Sequence, residues 1–156
     1  MTMVAASACL LGYCCRYDGR TSPDEALVNR TPKEAVLPIC PEELGGLSTP
    51  RKPCELRGGD GFDVLDGRAR VVDSEGKDVT HAFLMGAFAA LKRIKENNIQ
   101  FCYLKDKSPS CGVGRRSGDR QPIGVTAALF IREGIEVEEV IATAIDKACK
   151  QNQDST

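Results

Sequence analysis

The sequence predicts a single α/β domain in which helices flank a mainly parallel sheet, in a Rossmann-like arrangement. Short apolar runs alternate with segments of helical periodicity, and this alternation is typical of parallel βαβ units. The chain has 156 residues, about the length of one domain, and its 42% of apolar residues suffices for a core. We expect the domain to cover residues 1–150, with a frayed polar tail at 151–156.

The first quarter of the chain contains two predicted strands and one short helix. Met3 to Ala8 is a short apolar run and predicts a buried strand that leads into a loop. Ser22-Pro23-Asp24-Glu25 predicts a helix start with Ser22 as its N-cap. Ala35 to Ile39 is a second apolar run and predicts the second strand.

The middle of the chain contains an irregular segment and the clearest helix. Gly45 to Gly67 is rich in glycine, proline and charge, which predicts a long irregular segment of the kind that is often functional. Val64 to Val72 is expected to form a small hairpin that turns at an Asp-Gly pair. Thr80 is expected to cap a helix from His81 to Asn97, because apolar residues recur there every three or four positions.

The last third repeats the alternation of strand and helix. Ile99 to Leu104 predicts a third buried strand, and Ala127 to Arg132 a helix that stops near a glycine. Ile135 to Val137 is expected to be a short fourth strand. A final helix is expected from Glu138 to Lys150.

Charge and hydropathy exclude several classes of function. The net charge is −1 and the pI is about 5.9, whereas proteins that bind nucleic acid usually carry a basic surface. No apolar run approaches the roughly 20 residues that span a bilayer, and the N-terminus lacks the features of a secretory signal. We therefore expect a cytoplasmic protein without a nucleic-acid or membrane partner, and we favour a monomer.

Eight cysteines are the strongest chemical signal in the chain. They are Cys9, Cys14, Cys15, Cys40, Cys54, Cys102, Cys111 and Cys149. Thiols in the cytosol normally stay reduced, so metal binding or catalysis is a better expectation than a disulfide framework. The chain contains no Cys-x-x-Cys pair, so neither a zinc ribbon nor a thioredoxin-type motif is indicated.

Cys9, Cys40 and Cys111 each follow a predicted strand. In parallel sheets ligands bind beyond the carboxyl ends of the strands, so these thiols are expected to lie close together. Thiolates are soft ligands that suit zinc, copper(I) or iron–sulfur clusters, and three of them leave a coordination position open. Gly112 and Gly114 allow backbone N–H groups to approach a sulfur. From the residues alone, a shared metal site and buried inert thiols both remain open.

Several motifs occur in an order that resembles one bacterial family. They are Ser7-Ala8-Cys9-Leu10-Leu11-Gly12, Arg16-Tyr17-Asp18-Gly19, Cys40-Pro41-Glu42, Leu44-Gly45-Gly46-Leu47, Thr49-Pro50-Arg51, Gly58-Gly59-Asp60-Gly61 and Lys107-Ser108-Pro109-Ser110-Cys111-Gly112. Together they resemble the thiouracil desulfidase family, first defined as a bacterial domain of unknown function. The likeness covers residues 4 to 137.

The resemblance implies a 4Fe–4S cluster held by only three cysteines, which match Cys9, Cys40 and Cys111. The fourth iron would be open to bind the sulfur of a thionated base and to polarise the carbon–sulfur bond. An activated water would then attack the carbon, giving uracil and hydrogen sulfide without a net redox change. The family residues that assist this water match Glu42, as general base, and Ser108.

Other interpretations stay open at this point. Sulfur transfer to tRNA or a nucleotide at the same open iron is a second interpretation, against which the lack of a basic composition weighs. A zinc-stabilised binding domain without enzymatic activity is a third interpretation. Glu43 competes with Glu42, and Ser110 with Ser108. Arg51 is equally consistent with binding an anionic substrate and with supporting its loop. The adjacent pair Cys14-Cys15 departs from the family pattern, and we expect no metal role for it.

Overall fold

The computed structural model describes residues 3–30, 35–113 and 122–141. The elements in chain order are β1 (Val4–Ser7), α1 (Glu25–Arg30), β2 (Val36–Ile39), α2 (Pro41–Leu44), β3 (Cys54–Arg57), α3 (Gly61–Leu65), β4 (Arg70–Asp73), α4 (Thr80–Glu96), β5 (Phe101–Lys105), α5 (Val125–Arg132) and β6 (Glu136–Val140). A 3-10 turn over Ala8–Leu11 follows β1 directly.

The main sheet is parallel throughout its described strands. Its strand order is β2-β1-β5-β6, and every neighbouring pair is parallel. The predicted α/β fold with a mainly parallel sheet is therefore confirmed. Because β1 lies between β2 and β5, the loops that follow these three strands emerge side by side at one edge of the sheet. This edge is where the three cysteines were expected to meet.

The core lies between the sheet and its covering helices. α4 presents Phe83, Ala87, Leu91 and Ile94 to it, as the periodicity predicted. The helix begins one residue earlier than expected, at Thr80, so Thr80 is not its cap. The Thr80 hydroxyl instead accepts a hydrogen bond from the Val71 N–H at 2.9 Å. Among the described residues, no helix has both the length and the apolarity to cross a membrane.

Two glycines let α2 approach α4 backbone to backbone. A Cβ at Gly86 would lie 1.8 Å from the carbonyl oxygen of Pro41, and a Cβ at Gly45 would lie 2.0 Å from that of Ala82. Any side chain at these positions would push the two helices apart. The short helix α2 is therefore fixed against α4, the longest of the described helices.

The start of α1 differs from the prediction. The helix begins at Glu25, and the carboxylate of Asp24 accepts a hydrogen bond from the Leu27 N–H at 2.8 Å. Ser22 is not the cap, because its hydroxyl accepts a hydrogen bond from Arg16 Nη1 at 2.5 Å. The carboxylate of Asp24 lies two residues nearer to the helix, where it reaches the free N–H groups of the first turn.

The segment from Gly45 to Gly67 is more regular than expected, and the predicted hairpin over Val64–Val72 is wrong. Asp60 caps α3 with a full capping box, in which its side chain and that of Asp63 each accept the other's backbone N–H, at 3.1 and 3.0 Å. This reciprocal cap stabilises a helical turn where the Asp-Gly pair suggested a hairpin. β4 pairs instead with β3, in antiparallel register from Cys54↔Asp73 to Arg57↔Arg70.

The predicted helix from Glu138 is also wrong at its start. β6 continues to Val140, pairing with β5 from Phe101↔Glu136 to Lys105↔Val140. Backbone hydrogen bonds to the neighbouring strand decide the conformation of a stretch whose side chains are mostly acidic. The rest of the predicted helix, residues 142–150, and the predicted tail, 151–156, lie outside the described residues.

Candidate active site

The three predicted ligand cysteines line one cavity at the carboxyl edge of the sheet. Cys9 lies in the 3-10 turn after β1, Cys40 is the residue before α2, and Cys111 lies in the loop after β5. All three are free thiols. The cavity has a volume of about 250 Å³, and Glu42 and Ser108 line it as well. The structure thus brings together all five residues that were singled out.

The loop that carries Cys111 is organised by one hydroxyl. Ser108 Oγ accepts hydrogen bonds from the N–H groups of Ser110, at 3.1 Å, and of Cys111, at 3.0 Å. Gly112 N–H donates to the Ser108 carbonyl oxygen at 2.9 Å. A Cβ at Gly112 would lie 2.7 Å from that same oxygen, so the turn requires glycine. Gly114, the second glycine of the motif, lies outside the described residues.

Ser108 also faces the predicted general base. Its hydroxyl donates to Glu42 Oε1 over a long 3.4 Å. Because two N–H groups occupy the lone pairs of this oxygen, its single hydrogen is directed towards the carboxylate. The other oxygen, Glu42 Oε2, receives Arg51 Nε at 2.8 Å and Nη2 at 2.6 Å. Glu42 is therefore held at both oxygens.

Arg51 supports the loops of the site. Its side chain is only 7% exposed, and besides Glu42 it binds the Cys15 carbonyl oxygen at 2.9 Å and Thr49 Oγ1 at 2.8 Å. Of the two roles considered for Arg51, the structure shows the support of the loop. A guanidinium presents several donors in one plane, which suits this set of partners.

The competing residues fall elsewhere. Glu43 is exposed and accepts a hydrogen bond from the Thr49 hydroxyl. Ser110 is buried, and its hydroxyl is 2.7 Å from Thr126 Oγ1. Neither lines the cavity. The geometry therefore favours Glu42 and Ser108.

Cys15 is the residue that sequence reasoning missed. It is buried and lines the cavity, and it packs with Cys9 and Cys40 in one small cluster. The available signal was its position directly before Arg16, at the start of a motif already recognised. Cys54 lines the cavity too, whereas Cys102 is wholly buried in the core. Cys14 is disulfide-bonded, against the expectation of reduced thiols, and it does not line the cavity.

The thiols have distinct electrostatic environments. The pKa of Cys9 is lowered, chiefly by the hydrogen bond from Cys15 and further by the positive charge of Lys105, against the effect of burial. Hydrogen bonding with Cys40 and Cys9, together with burial, raises the pKa of Cys15. Burial raises the pKa of Cys111, although a hydrogen bond with Ser7 opposes this. Burial also raises the pKa of Cys54, to about 11.

Positive side chains outnumber negative ones around the cavity. Arg16, Arg51, Lys105 and Lys107 line it, and Glu42 is the one carboxylate among its described lining residues. Such a surrounding stabilises anionic contents, including thiolates and a cluster held by them. Lys107, next to Ser108, adopts a positive φ of 59°, a conformation uncommon outside glycine.

The donor set, three free thiols that line one cavity, has the chemistry of an iron–sulfur site. Among the described residues, no group of three or more His, Cys, Asp or Glu side chains is arranged to hold a metal ion. A 4Fe–4S cluster binds each cysteine through a different iron, so its thiols surround a volume and do not point at one atom. Three free thiols around a cavity that also carries four cationic side chains meet this requirement.

Comparison with known proteins identifies the family. A family model described as 2-thiouracil desulfurase matches residues 4–140. The uncharacterized protein YbbK of Bacillus subtilis (strain 168) is 42% identical over 141 residues, which are 86% of this chain and 93% of that protein. A solved structure, described as the 4Fe–4S-dependent thiouracil desulfidase TudS, is similar with a TM-score of 0.73 and 38% identity, covering 89% of this chain and 91% of that one. With its sequence, fold and cavity in agreement, the chain belongs to the 2-thiouracil desulfurase family.

Proposed function

We propose that this protein hydrolyses the carbon–sulfur bond of thiouracil-type bases, releasing uracil and hydrogen sulfide. One observation carries the proposal: three free thiols, a carboxylate and a hydroxyl from three separate segments of the chain line a single cavity. At about 250 Å³, the cavity is slightly smaller than pockets for drug-sized ligands, roughly 300–1,000 Å³. That size suits a small cofactor and a single-ring substrate.

Cys9, Cys40 and Cys111 are the residues that would hold a 4Fe–4S cluster. The name of the solved relative states its dependence on such a cluster. Bound through three cysteines, a cluster supplies one iron as a Lewis acid for the thiocarbonyl sulfur. The cationic rim of the cavity would balance the negative charge of the thiolates.

Glu42 is the general base of the proposed reaction. Its Oε2 is neutralised by two contacts from Arg51, at 2.6 and 2.8 Å, so the proton of the attacking water is expected to go to Oε1. This oxygen has a single described neighbour at hydrogen-bond distance, Ser108 Oγ at 3.4 Å. A bond of that length leaves room for a water to compete for Oε1.

Ser108 acts in the proposal mainly as a positioning residue for Glu42. Both of its lone pairs accept backbone N–H groups, so it is a poor acceptor for the proton of a water. Its hydrogen orients Oε1, and the same oxygen ties that orientation to the loop of Cys111. The general base and a cluster ligand are in this way held in one hydrogen-bonded unit.

The proposed reaction balances without electron transfer. The oxygen of water replaces sulfur on the ring carbon, and the two protons of that water leave with the sulfur as hydrogen sulfide. Glu42 takes one proton during attack and returns it to the departing sulfur. No oxidant or reductant is consumed.

Anaerobic reconstitution followed by a sulfide-release assay tests the proposal. Protein reconstituted with iron and sulfide is expected to bind four irons per chain and to release sulfide from 4-thiouracil or 2-thiouracil. Cys9→Ala, Cys40→Ala and Cys111→Ala are each expected to lose the cluster, whereas Cys102→Ala, in the core, is expected to keep it. A colourless protein that retains stoichiometric zinc after this treatment would refute the cluster and favour a zinc-stabilised domain.

The substrate class, the partners, the oligomeric state and the location of the protein are part of the same proposal. We propose a small thionated base as substrate, without nucleic-acid or membrane partners, and a monomer located in the cytoplasm. Sulfide released into solution in stoichiometric amounts, with no other sulfur acceptor present, would distinguish hydrolysis from sulfur transfer to tRNA or a nucleotide.

A further inference from the structure

A fourth thiol is built into the cysteine site. Cys15 is 6% exposed and lines the cavity beside Cys9 and Cys40. With these two residues it forms a small packed cluster separate from the main core. The Cys40 Sγ atom lies 3.7 Å from the Cys15 carbonyl oxygen. The proposed ligand set, by contrast, leaves Cys15 without a function.

The backbone around Cys15 is held from both sides. Its N–H donates to the Tyr13 carbonyl oxygen at 3.0 Å, and its own carbonyl oxygen accepts Arg51 Nη2 at 2.9 Å. Arg51 N–H also donates to the Tyr17 carbonyl oxygen at 2.7 Å. These three hydrogen bonds hold the loop that carries the Cys15 thiol at the cavity.

Binding of a cluster would change Cys40 from a hydrogen-bond donor into an acceptor. In the thiol form, Cys40 Sγ donates to the Cys15 carbonyl oxygen at 3.7 Å. A thiolate ligand has no hydrogen, so this bond is lost, while Arg51 still satisfies the carbonyl. The sulfur of Cys40 becomes an acceptor, and the S–H group of Cys15 lies beside it as a donor.

We propose that Cys15 is a positioning residue that donates its single S–H hydrogen to the ligand sulfurs of Cys40 and Cys9, one at a time, and thereby tunes the cluster. This inference rests on the proposed function, because it needs a cluster held by those two residues. Hydrogen bonds to ligand sulfurs draw electron density from a cluster and stabilise its reduced, more negative form. Their loss therefore moves the reduction potential to a more negative value.

A matched pair of variants isolates the donor. Cys15→Ala and Cys15→Ser differ by one hydroxyl group, so any loss of packing common to both cancels in their comparison. Cys54→Ala is the control, because Cys54 lines the same cavity but has its Sγ 3.5 Å from the Lys52 carbonyl oxygen. Wild type and the three variants are reconstituted anaerobically, analysed for iron and sulfide, and titrated for their reduction potential.

The expected result is a more negative potential for Cys15→Ala, restoration of most of the shift in Cys15→Ser, and the wild-type potential in Cys54→Ala. A Cys15→Ala protein with four irons and the wild-type potential would overturn the inference, as would a Cys15→Ser protein shifted as far as Cys15→Ala. If Cys15→Ala alone loses its cluster, the reduction potential of Cys15→Ser is the deciding measurement. A potential equal to that of the wild type supports Cys15 as a hydrogen-bond donor, and a more negative one overturns that role. Loss of the cluster in both Cys15 variants, with Cys54→Ala intact, would make Cys15 a ligand and overturn its role as donor. Failure of the wild type to form a cluster would overturn the proposed function itself.

Discussion

The contact between α2 and α4 offers a sharp test of how the fold positions the site. Gly86→Ala adds one methyl group that would lie 1.8 Å from the Pro41 carbonyl oxygen, at least about 1.2 Å inside the closest approach of real Cβ atoms. The obstacle is backbone, so no side-chain rotation relieves it, and α2 must move. Overpacking of this kind typically costs about 1–3 kcal/mol, while alanine in place of glycine returns roughly 0.5–1 kcal/mol of helix stability. We expect a net loss of about 1–2 kcal/mol.

The same movement of α2 is expected to affect the rate of sulfide release more than the free energy of unfolding. α2 carries Glu42 and is preceded by Cys40, and a displacement of about 1 Å at a reacting group can cost on the order of 100-fold in rate. Urea denaturation measures the loss of stability, and sulfide release from 4-thiouracil measures the rate. Met85→Ala, on the same helix at a position 54% exposed, is the control and is expected to change neither. A Gly86→Ala protein with wild-type stability and rate would show that the close approach of the two helices does not position the site.

Three further substitutions test individual residues of the site. Glu42→Gln is expected to keep its iron but to lose about 10²–10⁴-fold in turnover, the usual contribution of a general base; Glu43→Gln, its exposed neighbour, is expected to match wild type, and equal losses in both would remove Glu42 from the mechanism. Ser108→Ala leaves two backbone N–H groups of its loop without their acceptor and is expected to cost about 2 kcal/mol in urea denaturation, with weaker iron retention on chelator challenge; unchanged stability would contradict its organising role. Arg51→Met removes one partner of a largely buried ion pair and is expected to destabilise the protein by about 3 kcal/mol. Arg51→Lys keeps the positive charge, so its loss of stability is expected to be smaller. Equal stability of the two variants would contradict a charge-dependent role.

Local sequence patterns predicted the elements that depend on near neighbours in the chain. The apolar runs that became β1, β2 and β5 and the periodicity of α4 were correctly located, because alternation and helical spacing are visible within a few residues. The prediction failed at Val64–Val72 and at Glu138. In the first case a capping box made Gly61–Leu65 helical, so the Asp-Gly turn ends a helix and does not join two strands. In the second case the pairing with β5 extended a strand into a stretch with helical composition.

The candidate site, like the fold, was only partly predictable from the sequence. The rule that ligands collect at the carboxyl ends of parallel strands was enough to bring Cys9, Cys40 and Cys111 to one edge from sequence alone. The sequence could not show that Arg51 holds Glu42, since the two are nine residues apart on separate segments. It also gave no reason to place Cys15 against Cys40, 25 residues away.

The sequence by itself determined the class of fold, the edge of the sheet where chemistry is expected and, through its motifs, the family of the protein. These depend on residue order and short-range periodicity, which a linear chain carries in full. Only the tertiary structure decided which carboxylate faces the cavity, which oxygen of Glu42 is bound by Arg51, and which further thiol lies beside the three predicted ligand cysteines. Each of these depends on distances between loops that are remote in the chain and meet only because β1 lies between β2 and β5.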